Sequence, residues 1–123
     1  MIQGIIIGHV DIGNALIDAL HSISGMVEFI EYISNKGLST NELAEIIKSK
    51  SQKNSSDGVM LFVDMYGGSC WRAAKMARVP NSHIVTGINL PMLLSFIQKR
   101  NTIPIDELPA IMEIDGKRAI TSE

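Results

Sequence analysis

Four short apolar runs, each followed by a longer segment whose apolar positions recur at helical spacing, constrain this chain more than any other feature. A helix between two strands carries the chain back across the sheet, so successive strands end up parallel and the helices cover both faces. The expected fold is α/β: a three-layer αβα domain around a mostly parallel sheet of about four strands, in the common order 2-1-3-4. Ile2 to Gly8 is a nearly continuous β-branched run, as expected of a strand buried on both faces. Asp11 is the expected cap of the helix that follows. Its apolar positions Ile12, Ala15, Leu16, Ala19, Leu20 and Ile23 share one face, and Gly25 is the expected stop.

Val27 to Ile33 alternates apolar and polar residues, which suits an edge strand with one wet face. Thr40 or Asn41 is expected to cap a second helix with Leu43, Ala44, Ile46 and Ile47 turned inward, and the Ser/Lys/Asn-rich stretch from Lys48 to Asp57 reads as a solvated loop. A third strand, Val59 to Val63, ends at Asp64 and passes through Met65-Tyr66-Gly67-Gly68 into a helix with a small-residue face, Ala73, Ala74 and Ala77. Ile84 to Ile88 is the fourth strand, and Asn89-Leu90-Pro91 opens a helix in which the proline removes no needed hydrogen bond. Asp106 is expected to cap the last helix, with Pro109 in its first turn, and Gly116 to precede a short final segment, Arg118 to Thr121.

At 123 residues this is read as a single domain, 1–123. A net charge of −2 with 5% aromatic residues offers neither the basic excess nor the stacking platforms of a nucleic-acid binder. One cysteine, Cys70, excludes an internal disulfide and a multi-cysteine zinc site, and it points to a reducing, cytoplasmic setting. The apolar start has no basic region before it and is broken by Asp11, so a membrane role is expected only through partners. The seven methionines read as core packing.

In open doubly wound sheets ligands bind beyond the carboxyl ends of the strands, where the strand order reverses. Strand one delivers His9 there, strand three delivers Asp64 and the Gly67-Gly68-Ser69 turn, and strand four delivers Asn89. Alone, each is an ordinary turn or cap former. Together they suit phosphoryl chemistry: a neutral imidazole is nucleophilic, a carboxylate on one ring nitrogen fixes its tautomer, and N–H groups at a helix start hold phosphate oxygens. His9 is the candidate nucleophile, Asp64 its orienting carboxylate, and Gly67, Gly68 and Ser69 the phosphate-holding groups. No metal or cofactor is required. His21 and His83 lack metal-pair spacing and read as structural or surface residues. Cys70 reads as a small filler, since the cysteine phosphatase loop needs an arginine where this chain has Met76. Trp71 and Tyr66 line the pocket rim or pack in the core.

The blocks Gly4-Ile5-Ile6-Ile7-Gly8-His9, Leu61-Phe62-Val63-Asp64-Met65-Tyr66-Gly67-Gly68-Ser69 and Gly87-Ile88-Asn89-Leu90-Pro91-Met92-Leu93 occur in this order. In them the chain resembles the IIA domain of the mannose/fructose-type sugar phosphotransferase system. The resemblance implies that His9 accepts a phosphoryl group from the phosphohistidine of the carrier protein HPr and passes it to a IIB component, here expected on a separate chain. It also implies a homodimer that exchanges a C-terminal strand. Two positions depart from the family pattern: Val10 stands where glycine usually follows the histidine, and Cys70 where proline is common. A β-branched residue at position 10 resists a positive φ. The phosphotransfer subunit of a dihydroxyacetone kinase shares this fold and histidine, so it is the alternative within the family. A regulatory domain that no longer accepts phosphate is the alternative outside catalysis.

Overall fold

A computed structural model of the chain describes residues 1–51 and 57–123. The strands are β1 (Gln3–Gly8), β2 (Ile30–Ser34), β3 (Val59–Val63) and β4 (Ser82–Thr86). The helices are α1 (Ile12–Ser24), α2 (Thr40–Ser51), α3 (Gly68–Met76), α4 (Leu90–Lys99) and α5 (Leu108–Arg118). All strand pairs are parallel, in the order β2-β1-β3-β4. The sheet reading from hydrophobic pattern therefore holds, including the adjacency of the first and third strands.

Ile5, Ile6 and Ile7 are all fully buried because alternate side chains leave opposite faces of the sheet and both faces are covered. Ile6 and Phe62 join Leu20 of α1, Phe96 of α4 and Met112 of α5 in one core. Ile5, Ile7, Leu61 and Val63 join Ile47 of α2 and Ala73 and Ala74 of α3 in the other. Gly4 admits the edge of Phe96, since a Cβ there would lie 2.8 Å from the ring. The Phe96 ring in turn meets Phe62 edge-on at 4.9 Å. The small face of α3 brings that helix close to the sheet, as its alanines require.

Several local expectations are corrected. β2 starts at Ile30 and not Val27, because Phe29 takes a positive φ of 60° and breaks the extended run. Asp11 occupies the cap position of α1 but makes no side-chain cap bond; its carbonyl accepts from Ala15 N instead. Of the apolar set on α1 only Leu20 is fully buried, while Ile12 and Ile23 are exposed. Gly25 does end that helix, at φ 68°. The cap of α2 is neither Thr40 nor Asn41 but Ser39, whose hydroxyl accepts from Glu42 N at 3.1 Å while Glu42 accepts from Ser39 N at 2.9 Å. This reciprocal box is a Ser-x-x-Glu signature. Ser39→Ala is expected to cost about 1 kcal/mol of stability, measured by urea unfolding; an unchanged midpoint would contradict the capping role.

The stretch expected to be a loop from Lys48 is helical as far as Ser51, and the rest of it, at 52–56, lies outside the described residues. β4 ends at Thr86 because Gly87, at φ 67°, turns the chain, so Ile88 is not in the strand. His83 lies within β4 and bonds Asp106 at 2.9 Å, which occupies the carboxylate that was expected to cap α5. Glu107 holds the cap position there without a side-chain bond. Gly116 is inside α5, packed under Met92, with its carbonyl accepting from Asn89 Nδ2 at 3.0 Å. After Arg118 no strand follows among the described residues. Met60, Met92 and Met112 are core residues, but Met1, Met26, Met65 and Met76 are exposed.

Candidate active site

β1 and β3 run side by side, with Ile7 opposite Val63, so the residues just beyond them, His9 and Asp64, meet at the carboxyl edge of the sheet. The meeting needs Gly8. A Cβ at that position would lie 3.1 Å from the Asp64 carboxyl and 2.9 Å from Ile12. Asp64 Oδ2 accepts from His9 N at 3.0 Å and from His9 Nδ1 at 2.7 Å, while Oδ1 accepts from Met65 N at 2.9 Å. A carboxylate offers only acceptors, so this network assigns the ring proton to Nδ1 and leaves the lone pair on Nε2. The Asp64 side chain is 8% exposed and that of His9 44%. The carboxylate is thus sheltered and the imidazole ring is open to solvent.

α3 begins beside this pair. Gly67 has φ 79° and ψ −178°, a region open in practice only to glycine, and Gly68 has φ 76°. No side chain caps the helix, so its first N–H groups lack a side-chain acceptor at the end that carries positive partial charge. Cys70, in the first turn, is buried with its Sγ 3.9 Å from His9 Nδ1. Burial, chiefly, and the Asp64 carboxylate push its thiol up to about 11, so it rests protonated beside the imidazole. Tyr66 is 72% exposed. Its ring lies 4.9 Å from Trp71, which carries Lys75 Nζ over its face at 4.5 Å; Tyr66 is a rim residue, while Trp71 is partly buried and packs against the core that holds Ala73 and Ala74.

Val10, directly after the histidine, has φ 53°. A β-branched residue is strained there. Its carbonyl accepts from the Tyr32 hydroxyl at 2.9 Å, and Tyr32 in turn lies where a Cβ on Gly13 would sit 1.9 Å from its ring. Burial, chiefly, raises the Tyr32 pKa, which keeps the hydroxyl a donor. Sequence reading missed Tyr32; its one signal is a polar-tipped aromatic on the edge strand beside β1. Val10→Gly is expected to raise stability by about 1 kcal/mol, because the strain relieved exceeds the extra chain entropy lost on folding. A lower melting temperature for this variant would contradict the strain.

Asn89, expected at the same edge, caps α4 by accepting from Met92 N at 3.0 Å, and its amide is committed to Gly116. It supports helix packing. His21 lies in the last turn of α1 and His83 faces Asp106, so neither joins His9.

Fold and site together define a class: an open parallel α/β domain that presents a carboxylate-held imidazole at its switch point. The chain belongs to the family described as PTS system fructose IIA component, whose model matches residues 4–113. The matching model is that of the mannose-type EIIA domain. It is 29% identical over 99 residues to the mannose-specific EIIAB component of Escherichia coli (strain K12), a match covering 78% of this chain and 29% of that protein. It is 23% identical over 110 residues to the sorbose-specific EIIA component of Klebsiella pneumoniae, covering 88% of this chain and 82% of that one. The fold matches a phosphotransferase-system EIIA from Streptococcus agalactiae with a TM-score of 0.87 at 20% identity, over 99% of this chain and 97% of that one. It also matches a mannose/sorbose-specific IIA subunit from Enterococcus faecalis, with a TM-score of 0.84 at 20% identity, over 99% and 94%. No described helix is long and apolar enough to cross a membrane.

Proposed function

We propose that this chain is a phosphoryl carrier that accepts a phosphoryl group on His9 from phosphorylated HPr and passes it to a IIB component. The 2.7 Å bond between Asp64 Oδ2 and His9 Nδ1 carries the reading, because it holds the ring with Nε2 outward. The Nε2 lone pair attacks phosphorus in line with the donor's P–N bond. That bond breaks as the new one forms, and the donor imidazole leaves with the electron pair. Nδ1 keeps its proton on Asp64, which stabilises the positive charge that develops on the ring. The orphan N–H groups of Gly68 and Ser69, with the Ser69 hydroxyl, receive the phosphoryl oxygens, and the Gly67 turn sets their direction. Transfer onward is the same step in reverse.

The rim of Tyr66, Trp71 and Met65 beside an open imidazole suits docking of protein partners, which bring the phosphoryl group ready-made. A homodimer belongs to the same reading. Among the described residues β4 is an edge strand of the sheet, and a cleft of about 520 Å³ runs between it and α5, lined by Thr86, Met92, Pro109 and Lys117. Incubation with phosphorylated HPr, followed by intact mass, tests the carrier step: one acid-labile phosphoryl addition is expected, and none from an active donor would contradict it. Offering the phosphorylated chain to a IIB protein and, separately, to a dihydroxyacetone kinase complex identifies the acceptor. Transfer to the IIB protein is expected, and transfer to the kinase alone would replace that half of the proposal.

A further inference from the structure

We infer that His9, Asp64 and Cys70 also form a zinc site, and that an ion held there blocks phosphoryl acceptance; the blocking half rests on the carrier reading above. One donor atom from each of the three side chains lies within 4.8 Å of the others. His9 Nδ1 is 2.7 Å from Asp64 Oδ2 and 3.9 Å from Cys70 Sγ. Zinc bonds of about 2.0 to 2.3 Å in a tetrahedron set ligand atoms about 3.3 to 3.7 Å apart. The Nδ1–Oδ2 pair at 2.7 Å therefore opens by about 0.6 Å or more, the Nδ1–Sγ pair at 3.9 Å closes by a few tenths, and the Asp64–Cys70 pair, within 4.8 Å, closes by at most about 1.5 Å, shifts within the reach of side-chain torsions. One imidazole, one sulfur and one carboxylate make a borderline-soft set that favours zinc over magnesium or calcium. Three protein ligands leave a fourth position for water, on the side where the His9 ring is exposed.

The exchange balances without any redox step. Zinc enters, the Cys70 thiol bonds it as thiolate and releases one proton to solvent, and the proton on Nδ1 moves to Nε2 as Nδ1 takes the metal. His9 then has no lone pair on the outward nitrogen. The same rotation that breaks the Nδ1–Asp64 bond removes its orienting partner. Metal-bound and phosphorylated states are thus mutually exclusive, and zinc acts as an off switch on this carrier and never as its cofactor.

Zinc chloride is titrated into the full chain against a chromophoric chelator, for wild type, Cys70→Ala and the surface control His21→Ala, with folding checked by circular dichroism. One equivalent is expected to bind wild type and His21→Ala alike, with affinity about tenfold or more weaker in Cys70→Ala. No binding, or equal binding to Cys70→Ala, would overturn the site. Phosphorylation by phosphorylated HPr is then compared with and without zinc, each protein against itself in EDTA. Zinc is expected to suppress acceptance at least about tenfold in wild type and far less in Cys70→Ala, which also controls for any effect on the donor. Equal acceptance by zinc-loaded wild type would overturn the blocking. Failure of acceptance even in EDTA would count against the carrier reading, while the titration still decides the site.

Discussion

His9→Ala is expected to reduce phosphoryl acceptance from phosphorylated HPr to background, a loss of at least about a thousandfold, because it removes the atom that forms the new bond. The fold should survive. His9 lies past the end of β1 with its side chain 44% exposed, so its ring fills none of the core, and Asp64 keeps the backbone N–H at position 9 and that of Met65 as donors. The variant loses one hydrogen bond to a charged group, and its stability should fall by no more than about 1.5 to 3 kcal/mol. Intact mass after incubation reads the first effect and thermal unfolding the second. An alanine variant that still gains an acid-labile phosphoryl group would place the acceptor elsewhere, with exposed His21 and half-buried His83 the first residues to examine.

Asp64→Asn is expected to slow acceptance by about a hundredfold without abolishing it. In the wild type both carboxylate oxygens only accept, from three donors in all: His9 N, His9 Nδ1 and Met65 N. An amide cannot reproduce this. With its NH2 at the Oδ2 position it faces the His9 N–H and draws the ring proton to Nε2, where the nucleophilic pair should be. With its NH2 at the Oδ1 position it faces the Met65 N–H. Either arrangement sets a donor against a donor in a site 8% exposed, so a loss of about 1 to 3 kcal/mol in stability should accompany the rate effect. Rapid-quench measurement of the phosphorylation rate separates the two consequences. An unchanged rate in a folded variant would remove Asp64 from the mechanism and leave it a structural acceptor.

The sheet was legible because its information is local. A β-branched run buried on both faces, followed by an amphipathic stretch, specifies a parallel unit, and the strand ends then follow from where the apolar runs stop. That is why His9 and Asp64, 55 residues apart, could be placed opposite each other before any coordinates. What was hidden depends on contacts that no window of sequence contains. Asp106 could cap a helix as well as any aspartate, yet His83 on β4 claims it. Ile12 and Ile23 lie on the periodic face of α1, but α1 covers the sheet near its edge strand β2, and only the centre of that face reaches the core. The hydroxyl of Tyr32 meets the Val10 carbonyl across two strands, so neither residue announces the other. The Ser39 cap is a different kind of miss: Ser-x-x-Glu is present in the sequence, but Thr40 and Asn41 beside it are competent caps too, and only the hydrogen bonds single out Ser39.

Positive φ at Val10 joins these levels. The residue that sequence reading singled out as resisting such a conformation adopts it, held by the Tyr32 hydroxyl next to the His9 imidazole. The site therefore keeps its backbone geometry at some cost in stability, a pattern expected where position matters more than strain.

With Asp64 on one ring nitrogen of His9, the other is expected to carry the phosphoryl group. Uniformly 15N-labelled protein, phosphorylated by phosphorylated HPr and observed by 31P and 15N NMR, tests it directly. One phosphohistidine is expected, at His9, with phosphorus bonded to Nε2 and Nδ1 still protonated. Phosphorus on Nδ1, or on any residue other than His9, would contradict it.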